Sequence, residues 1–167
     1  LDRVNRIAYA CLSPRTDLEV LGKFGQQLDY EIVAFEAADE SGIPIYHTNV
    51  LMSVGTRFAA ICVDAIRSDQ RMAVVESLGS TGHIVIAISH RQMNSFAGNI
   101  LELSTATAGK VIALSQSAYN ALTSDQRSQL VSLSGPLVTT AIPTIEALGG
   151  GSVRCMLAEI HLPRAND

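Results

Sequence analysis

The tripeptide Asn49-Val50-Leu51 is weakly repeated fifty residues later, as Asn99-Ile100-Leu101. The other predicted elements are arranged around these two copies. Around both copies we predict the same order of elements: a strand, a tight turn, a second strand, a helix and a third strand. A period near fifty residues is typical of repeat architectures. The pattern therefore predicts an α/β fold of ββαβ units in a radial or stacked array, and it disfavours a doubly wound sheet.

Local signals place the individual elements of this array. Capping boxes at Thr16 and Thr123, and a cap at Ser68, predict where helices begin. Met72, Val75 and Leu78 are expected to face inward. The predicted strands are 4–12, 31–35, 45–54, 57–62, 83–88, 98–103, 110–114 and 136–140, and the predicted helices are 16–28, 69–78, 90–96, 123–133 and 143–148.

The stretch from Gly149 to Leu162 is the first candidate for function. Three consecutive glycines let the backbone come close to a ligand, and Cys155 follows four residues after the last of them, at the entry to a strand-like apolar run. This arrangement suits an exposed nucleophile on a rigid strand behind a flexible rim. A glycine turn that leads into a core strand with a buried, inert cysteine explains the same residues.

A nucleophilic cysteine needs an acid or base partner, and the sequence offers four histidines. His47 is the strongest candidate, because it stands at the mouth of a predicted strand between polar neighbours. The alternative is a polar residue at a strand edge. His161 would lie roughly 20 Å from Cys155 along a strand, which is too far for a hydrogen bond. Cys11 and Cys62 lie inside apolar strands and are predicted to be core residues.

Composition argues against several classes of function. The net charge is −4 and no basic run occurs, which argues against binding to nucleic acid or to an anionic membrane. No apolar run is long enough to span a bilayer, and no G-x-G-x-x-G or P-loop motif occurs. Three cysteines without a C-x-x-C pair fit a reducing cytoplasm and argue against a zinc site.

The start at Leu1, directly before strand-like sequence, suggests a cut through a longer chain or a shortened gene.

Three motifs carry a resemblance to a known family. They are residues 12–17 (Leu-Ser-Pro-Arg-Thr-Asp), residues 46–50 (Tyr-His-Thr-Asn-Val) and the segment from Gly149 to Met156. In this order, and with a long gap between histidine and cysteine, they resemble the guanidine-modifying enzymes of the pentein superfamily. Residues 96–99 (Phe-Ala-Gly-Asn) add support. The most similar branch is the arginine-deiminase-related, citrulline-hydrolysing, amidinotransferase-like one.

The resemblance implies roles for individual residues. Cys155 would be the nucleophile, and His47 would protonate the leaving amine and then activate water. Arg15 would bind the α-carboxylate of the substrate. Asn49 stands where arginine deiminases carry an aspartate, which favours a neutral, citrulline-like ureido group. No metal or organic cofactor is implied.

The implied architecture is an α/β-propeller of five ββαβ blades, of which this chain holds about three. We expect one domain, a partial propeller, with units at residues 1–46, 47–97 and 98–148 and a closing strand at 152–161. The resemblance implies that the carboxylates which bind the substrate guanidinium in the family correspond to positions before Leu1.

Two functions are compatible with this resemblance. The first is a C–N hydrolase, of the deiminase or ureidohydrolase type, that acts on a guanidino or ureido amino acid through a covalent cysteine intermediate. The second is a truncated relative that serves as a binding or assembly module, with Cys155 and His47 as relics. The open sheet edges of an incomplete propeller predict a homo-oligomer. No nucleic acid or membrane is expected as a partner.

Overall fold

The structure, a computed structural model, describes residues 1–106 and 109–159. The strands are β1 (Ile7–Leu12), β2 (Glu31–Glu36), β3 (Met52–Val54), β4 (Phe58–Ile61), β5 (Ile84–Ala87), β6 (Leu101–Thr105), β7 (Gly109–Ser115) and β8 (Leu137–Thr140). The helices are α1 (Leu18–Leu28), α2 (Thr48–Leu51), α3 (Arg71–Ser80), α4 (His90–Asn94), α5 (Gln116–Ala121), α6 (Ser124–Leu133) and α7 (Pro143–Gly149). Two further segments, Val63–Ala65 and Val153–Met156, form 3₁₀ turns.

The strands form three small sheets in the described part of the chain. β3 and β4 pair antiparallel, and β4 then pairs in parallel with β5 after the crossover through α3. β6, β7 and β8 repeat this order, with α5 and α6 in the crossover. β1 and β2 form a parallel pair around α1. The α/β fold class and the repeated ββαβ unit are therefore confirmed.

One continuous hydrophobic core joins the three sheets. β4 is buried at every position, and β1 is buried from Ile7 to Cys11. Burial of a side chain of this kind contributes about 1.5–3 kcal/mol, so the sheets cannot separate without a large loss of stability. The largest fully buried side chains come from all three units and include Phe35, Leu51, Phe58, Ile100, Leu114 and Leu130.

The strand predicted for residues 45–54 is formed only at 52–54, because residues 48–51 are helical. The Thr48 hydroxyl accepts the Cys11 N–H at 2.9 Å, and the Val50 N–H donates to the His47 carbonyl at 3.0 Å. These local partners override the strand preference of a β-branched, apolar run. As a result, His47 and Asn49 lie at the start of a tight turn rather than along a strand.

The starts of the first two long helices also differ from prediction. Asp17, rather than Thr16, caps α1, because its carboxylate accepts two of the free N–H groups in the first turn. α3 begins at Arg71 without a cap from Ser68, since the chain makes one more turn before the helix. The capping box at Thr123 is confirmed for α6. Within the described ranges, no helix is both long and apolar enough to cross a membrane.

The inward face of α3 was predicted in part, and α5 was not predicted. Val74 and Leu78 are buried on α3, whereas Met72 is 71 % exposed. Val75 is partly buried. At 3.6 residues per turn Met72 lies about 200° around the helix from Val74, so it faces away from the core. α5 begins where the Ser115 hydroxyl accepts the Ala118 N–H, which is a cap that the apolar pattern alone does not reveal.

The closing strand predicted for residues 152–161 is wrong over its described part. Residues 153–156 form a 3₁₀ turn instead, in which the Cys155 N–H donates to the Ser152 carbonyl at 3.0 Å. The Leu157 N–H donates to the Arg154 carbonyl at 3.2 Å. These backbone N–H and carbonyl groups therefore bond within the turn and not to an adjacent strand. The last two residues of the predicted strand, His161 among them, lie outside the described residues.

Candidate active site

A cavity of about 210 Å³ opens where the glycine-rich segment meets the two ββαβ units. One wall comes from the chain around the start of α2, and a second comes from α4 and the connection that leads to β6. The glycine-rich segment and the 3₁₀ turn after it close the third side. The structure thus brings Cys155, His47 and Asn49 around one cavity. The lining residues are Tyr46, His47, Asn49, Val50, Met93, Asn94, Phe96, Asn99, Gly150, Gly151 and Cys155.

Cys155 is the exposed thiol among the three cysteines of the chain. Its Sγ lies 3.2 Å from Nδ2 of Asn99 and 3.6 Å from Nδ2 of Asn49, so two amide groups donate to the same sulfur. The other two thiols are buried as predicted, and burial raises the pKa of Cys11 to about 11 and also raises the pKa of Cys62. A thiol in water with hydrogen-bond donors around it is the one of the three that is suited to act as a nucleophile.

The glycine-rich segment leaves space for this thiol. Gly150 has a left-handed backbone with φ of +65°, which favours glycine. A Cβ atom at Gly151 would lie 3.2 Å from Cβ and 3.3 Å from Sγ of Cys155. A side chain at either position would strain the loop or crowd the sulfur, and this explains why glycines precede the cysteine.

Asn99 is a site residue that we did not predict, although it belongs to the tripeptide echo of Asn49. It is 3 % exposed, and its Nδ2 bridges the Cys155 sulfur and the Asn49 carbonyl oxygen, the latter at 3.1 Å. A carbonyl oxygen can only accept, so the amide nitrogen must face it, and this fixes the orientation of the side chain. The tight turn before it contains Phe96, which has a left-handed φ of +64°. The repeat itself was the signal for this residue.

His47 and Arg15 both contact the Tyr46 ring. The ring of His47 is 4.7 Å from that of Tyr46, at an interplanar angle of 58°. The Arg15 guanidinium lies 5.0 Å over the centre of the Tyr46 ring, in cation–π geometry. Arg15 is not among the residues that line the cavity. Within the described ranges, no group of three or more His, Cys, Asp or Glu side chains could hold a metal ion.

Glu146 of α7 fastens the glycine-rich segment to the body of the protein. Its Oε1 accepts the hydroxyl of Ser152 and its Oε2 accepts the hydroxyl of Ser117, both at 2.7 Å. Burial by itself would raise the pKa of Glu146, but hydrogen bonds from Ser115, Ser117 and Ser152 outweigh it, so the pKa lies below its usual value. One carboxylate of α7 therefore links Ser152, at the end of the glycine-rich segment, to Ser117 of α5.

Replacement of Glu146 with glutamine should lower the free energy of unfolding at pH 7 by about 1 kcal/mol, because a charged acceptor is lost. The folded-state pKa is lowered, so this contribution is complete above the usual glutamate pKa and disappears as the pH falls through the folded-state value. Urea unfolding of wild type and Glu146→Gln between pH 7 and pH 3 measures it. Glu76→Gln, on the exposed face of α3, is the control and should show little change at any pH. A Glu146→Gln difference that persists undiminished at pH 3 would contradict the anionic role.

The comparison with protein families places the chain among the guanidine-modifying enzymes of the pentein superfamily. Its sequence matches the family described as N,N dimethylarginine dimethylhydrolase, eukaryotic, over residues 1–162, and the chain belongs to that family. No curated protein matches it at a significant level.

Several solved structures share the fold. The apo structure of ArgZ, an arginine dihydrolase from the ornithine–ammonia cycle in cyanobacteria, matches with a TM-score of 0.72 and 16 % identity, over 93 % of this chain and 22 % of ArgZ. The ternary complex of AgrE with ornithine and NAD⁺ matches with a TM-score of 0.74 and 18 % identity, over 100 % of this chain and 22 % of AgrE. An N-terminal domain of ArgZ, covalently bonded to a reaction intermediate, matches with a TM-score of 0.71 and 17 % identity, over 93 % of this chain and 52 % of that domain. The chain thus spans about a fifth of the full-length neighbours and about half of the separate domain.

Proposed function

We propose that this chain supplies the cysteine side of the active site in a C–N hydrolase, of the deiminase or ureidohydrolase type, that acts on a guanidino or ureido amino acid. The observation that carries the proposal is the exposed Cys155 thiol, which has two amide donors in a cavity that His47 also lines. Membership of the dimethylarginine hydrolase family supports it. So does the covalent intermediate captured in the N-terminal domain of ArgZ.

The proposed reaction has two steps. The Cys155 thiolate attacks the central carbon of the guanidino or ureido group and forms an S–C bond, while His47 gives a proton to the leaving nitrogen as the C–N bond breaks. Water then attacks the same carbon and passes a proton to His47, and the S–C bond breaks to return the thiolate. A guanidino substrate gives ammonia or an amine and a ureido product. A ureido substrate gives ammonia and a carbamate, which loses carbon dioxide to leave an amine.

The residues around the thiol favour a ureido group over a guanidinium. Nδ2 of Asn49 is a donor that points to Sγ, where the reacting carbon would be bound. A ureido oxygen can accept such a hydrogen bond, whereas a guanidinium carries donors alone. Arg15, which lies over the Tyr46 ring, is the proposed ligand of the substrate α-carboxylate, since a guanidinium binds a carboxylate with two parallel hydrogen bonds. We therefore propose a citrulline-like substrate before an arginine-like one.

The proposal predicts selective chemistry at Cys155 and release of ammonia. Iodoacetamide near neutral pH should label Cys155 rapidly, while the buried Cys11 and Cys62 serve as internal controls and stay unlabelled. The folded chain, incubated with L-citrulline, L-arginine and N,N-dimethylarginine in separate reactions, should release ammonia or dimethylamine from at least one of them, with citrulline the best. Equal, slow labelling of all three thiols, together with no turnover of any substrate, would leave the binding or assembly module as the function.

The assembly and the location of the chain stay predictions. Large apolar side chains are exposed at several points, among them Leu148 at 85 % and Val20 at 63 %. Such surfaces fit self-association into a homo-oligomer. The cytoplasmic location stays a prediction from the cysteine pattern of the sequence.

A further inference from the structure

Two neutral amide groups converge on one sulfur atom in this cavity. Nδ2 of Asn99 lies 3.2 Å from Sγ of Cys155, and Nδ2 of Asn49 lies 3.6 Å from it. An amide NH₂ group can donate but not accept, so at these contacts the sulfur is the acceptor. A neutral thiol accepts weakly, whereas hydrogen bonds to an ionised acceptor are roughly twice as strong as those between neutral groups. The arrangement therefore suits a thiolate better than a thiol.

The donor on Asn99 is set in place by the fold. Its second amide hydrogen is held by the Asn49 carbonyl at 3.1 Å, and its backbone N–H donates to the Phe96 carbonyl at 2.8 Å. Gly98, next to it, packs so closely on the backbone at Val50 that a Cβ atom would lie 2.5 Å from the carbonyl oxygen. Asn99 therefore needs little rearrangement to donate to the sulfur.

One polar atom of the Asn99 side chain lacks a hydrogen-bond partner in the described structure. This atom, Oδ1, is buried. A buried, unsatisfied polar atom costs about 1–3 kcal/mol, so a purely structural role would favour a smaller or apolar side chain. Unsatisfied groups of this kind are expected where function, rather than stability, selects the residue.

We propose that Asn99 is a catalytic residue which, together with Asn49, donates hydrogen bonds to the Cys155 sulfur and so stabilises its attacking, anionic form. The inference rests on the proposed role of Cys155 as the nucleophile. It adds that two uncharged donors, from equivalent positions of successive ββαβ units, stabilise the charge that the sulfur carries as a nucleophile. The charged or titratable groups beside the sulfur include the Arg154 guanidinium, which interacts electrostatically with Cys155, and the His47 ring, which lines the same cavity. A neutral ureido compound can then be attacked, because donors that belong to the chain stabilise the sulfur.

The test measures the alkylation rate of Cys155 by iodoacetamide, a neutral reagent, between pH 5 and pH 10 without substrate. In Asn99→Ala the rate at pH 7 should fall about tenfold, in keeping with the loss of one hydrogen bond to a charged acceptor, and the pH–rate curve should move to higher pH. In Asn99→Asp, which has nearly the same shape, the fall should be larger because a carboxylate repels the thiolate. Asn120→Ala, on the surface of α5, should match wild type.

Thermal unfolding and circular dichroism establish whether each variant keeps the fold. If Asn99→Ala does not fold, the alkylation rate of Asn99→Asp is compared with that of wild type instead. A folded Asn99 variant whose pH–rate curve coincides with that of wild type overturns the inference, and so does faster alkylation in Asn99→Asp. These outcomes differ from failure of the proposed function. If the proposed function is wrong but this inference is right, wild-type Cys155 is alkylated rapidly and loses reactivity in Asn99→Ala, yet no guanidino or ureido substrate is turned over.

Discussion

Replacement of Cys155 with alanine should abolish the release of ammonia or amine from every substrate that the wild-type chain hydrolyses. No other thiol can take its place, because Cys11 and Cys62 are buried in the core and burial raises the pKa of both. Loss of a catalytic nucleophile lowers kcat by roughly 10⁴-fold or more in enzymes that form a covalent intermediate. Ammonia release from citrulline and amine release from N,N-dimethylarginine, under saturating substrate, measure the effect.

Cys62→Ala is the matched control for this experiment. It removes a thiol of the same size from the core, so it should lower the melting temperature but leave turnover by the folded protein close to wild type. Cys155→Ala should show the reverse, because the exposed Cys155 side chain contributes little to packing. Substantial turnover by Cys155→Ala would remove the cysteine from the mechanism.

Replacement of Gly98 with alanine should damage both the fold and the site. A Cβ atom there would lie 2.5 Å from the Val50 carbonyl oxygen and 2.9 Å from the Leu51 carbonyl carbon, and both are backbone atoms of α2. Over-packing of this kind costs roughly 1–3 kcal/mol, and more where backbone must move. The displacement would also separate Asn99 from Asn49. We expect a lower urea midpoint and slower alkylation of Cys155 in the same variant.

Gly79→Ala tests whether the effect comes from the position rather than from the loss of a glycine. Gly79 lies in α3 with nothing within 4 Å of the added Cβ, so alanine should raise stability there, by about 0.5–1 kcal/mol. Alkylation of Cys155 should be unchanged in this control. Equal behaviour of the two alanine variants would mean that the close approach at Gly98 does not constrain the site.

The repeat of ββαβ units could be predicted from the sequence because strand and helix periodicities are local properties. The capping box at Thr123 and the start of α7 at Pro143 were found for the same reason. The helical turn at residues 48–51 could not be predicted, since it depends on a hydrogen bond from Cys11 to Thr48, across a long stretch of chain. Over its described part the strand predicted at 152–161 is not formed, because an apolar run does not reveal whether a neighbouring strand is present to pair with it.

The site could be predicted in outline but not in its contacts. The motifs selected Cys155, His47, Asn49 and Arg15. The structure places the first three around one cavity, but Arg15 is not among its lining residues. Asn99 was overlooked because its importance comes from the packing of two units, which brings residues fifty positions apart within 3.1 Å. Glu146 was overlooked because its three serine partners are spread along the chain and form no motif.

The first helix is held less firmly than the turn that carries Cys155. α1 buries none of its residues, and Leu18 and Leu28 are more than half exposed, so little core packing resists the opening of its hydrogen bonds. Segments of this kind exchange their amide hydrogens through local unfolding, at free energies well below that of global unfolding. Arg15 lies just before α1, whereas Cys155 lies on a turn that packs against β7. Local unfolding of α1 can therefore displace Arg15 while the Cys155 sulfur and its two amide donors keep their positions.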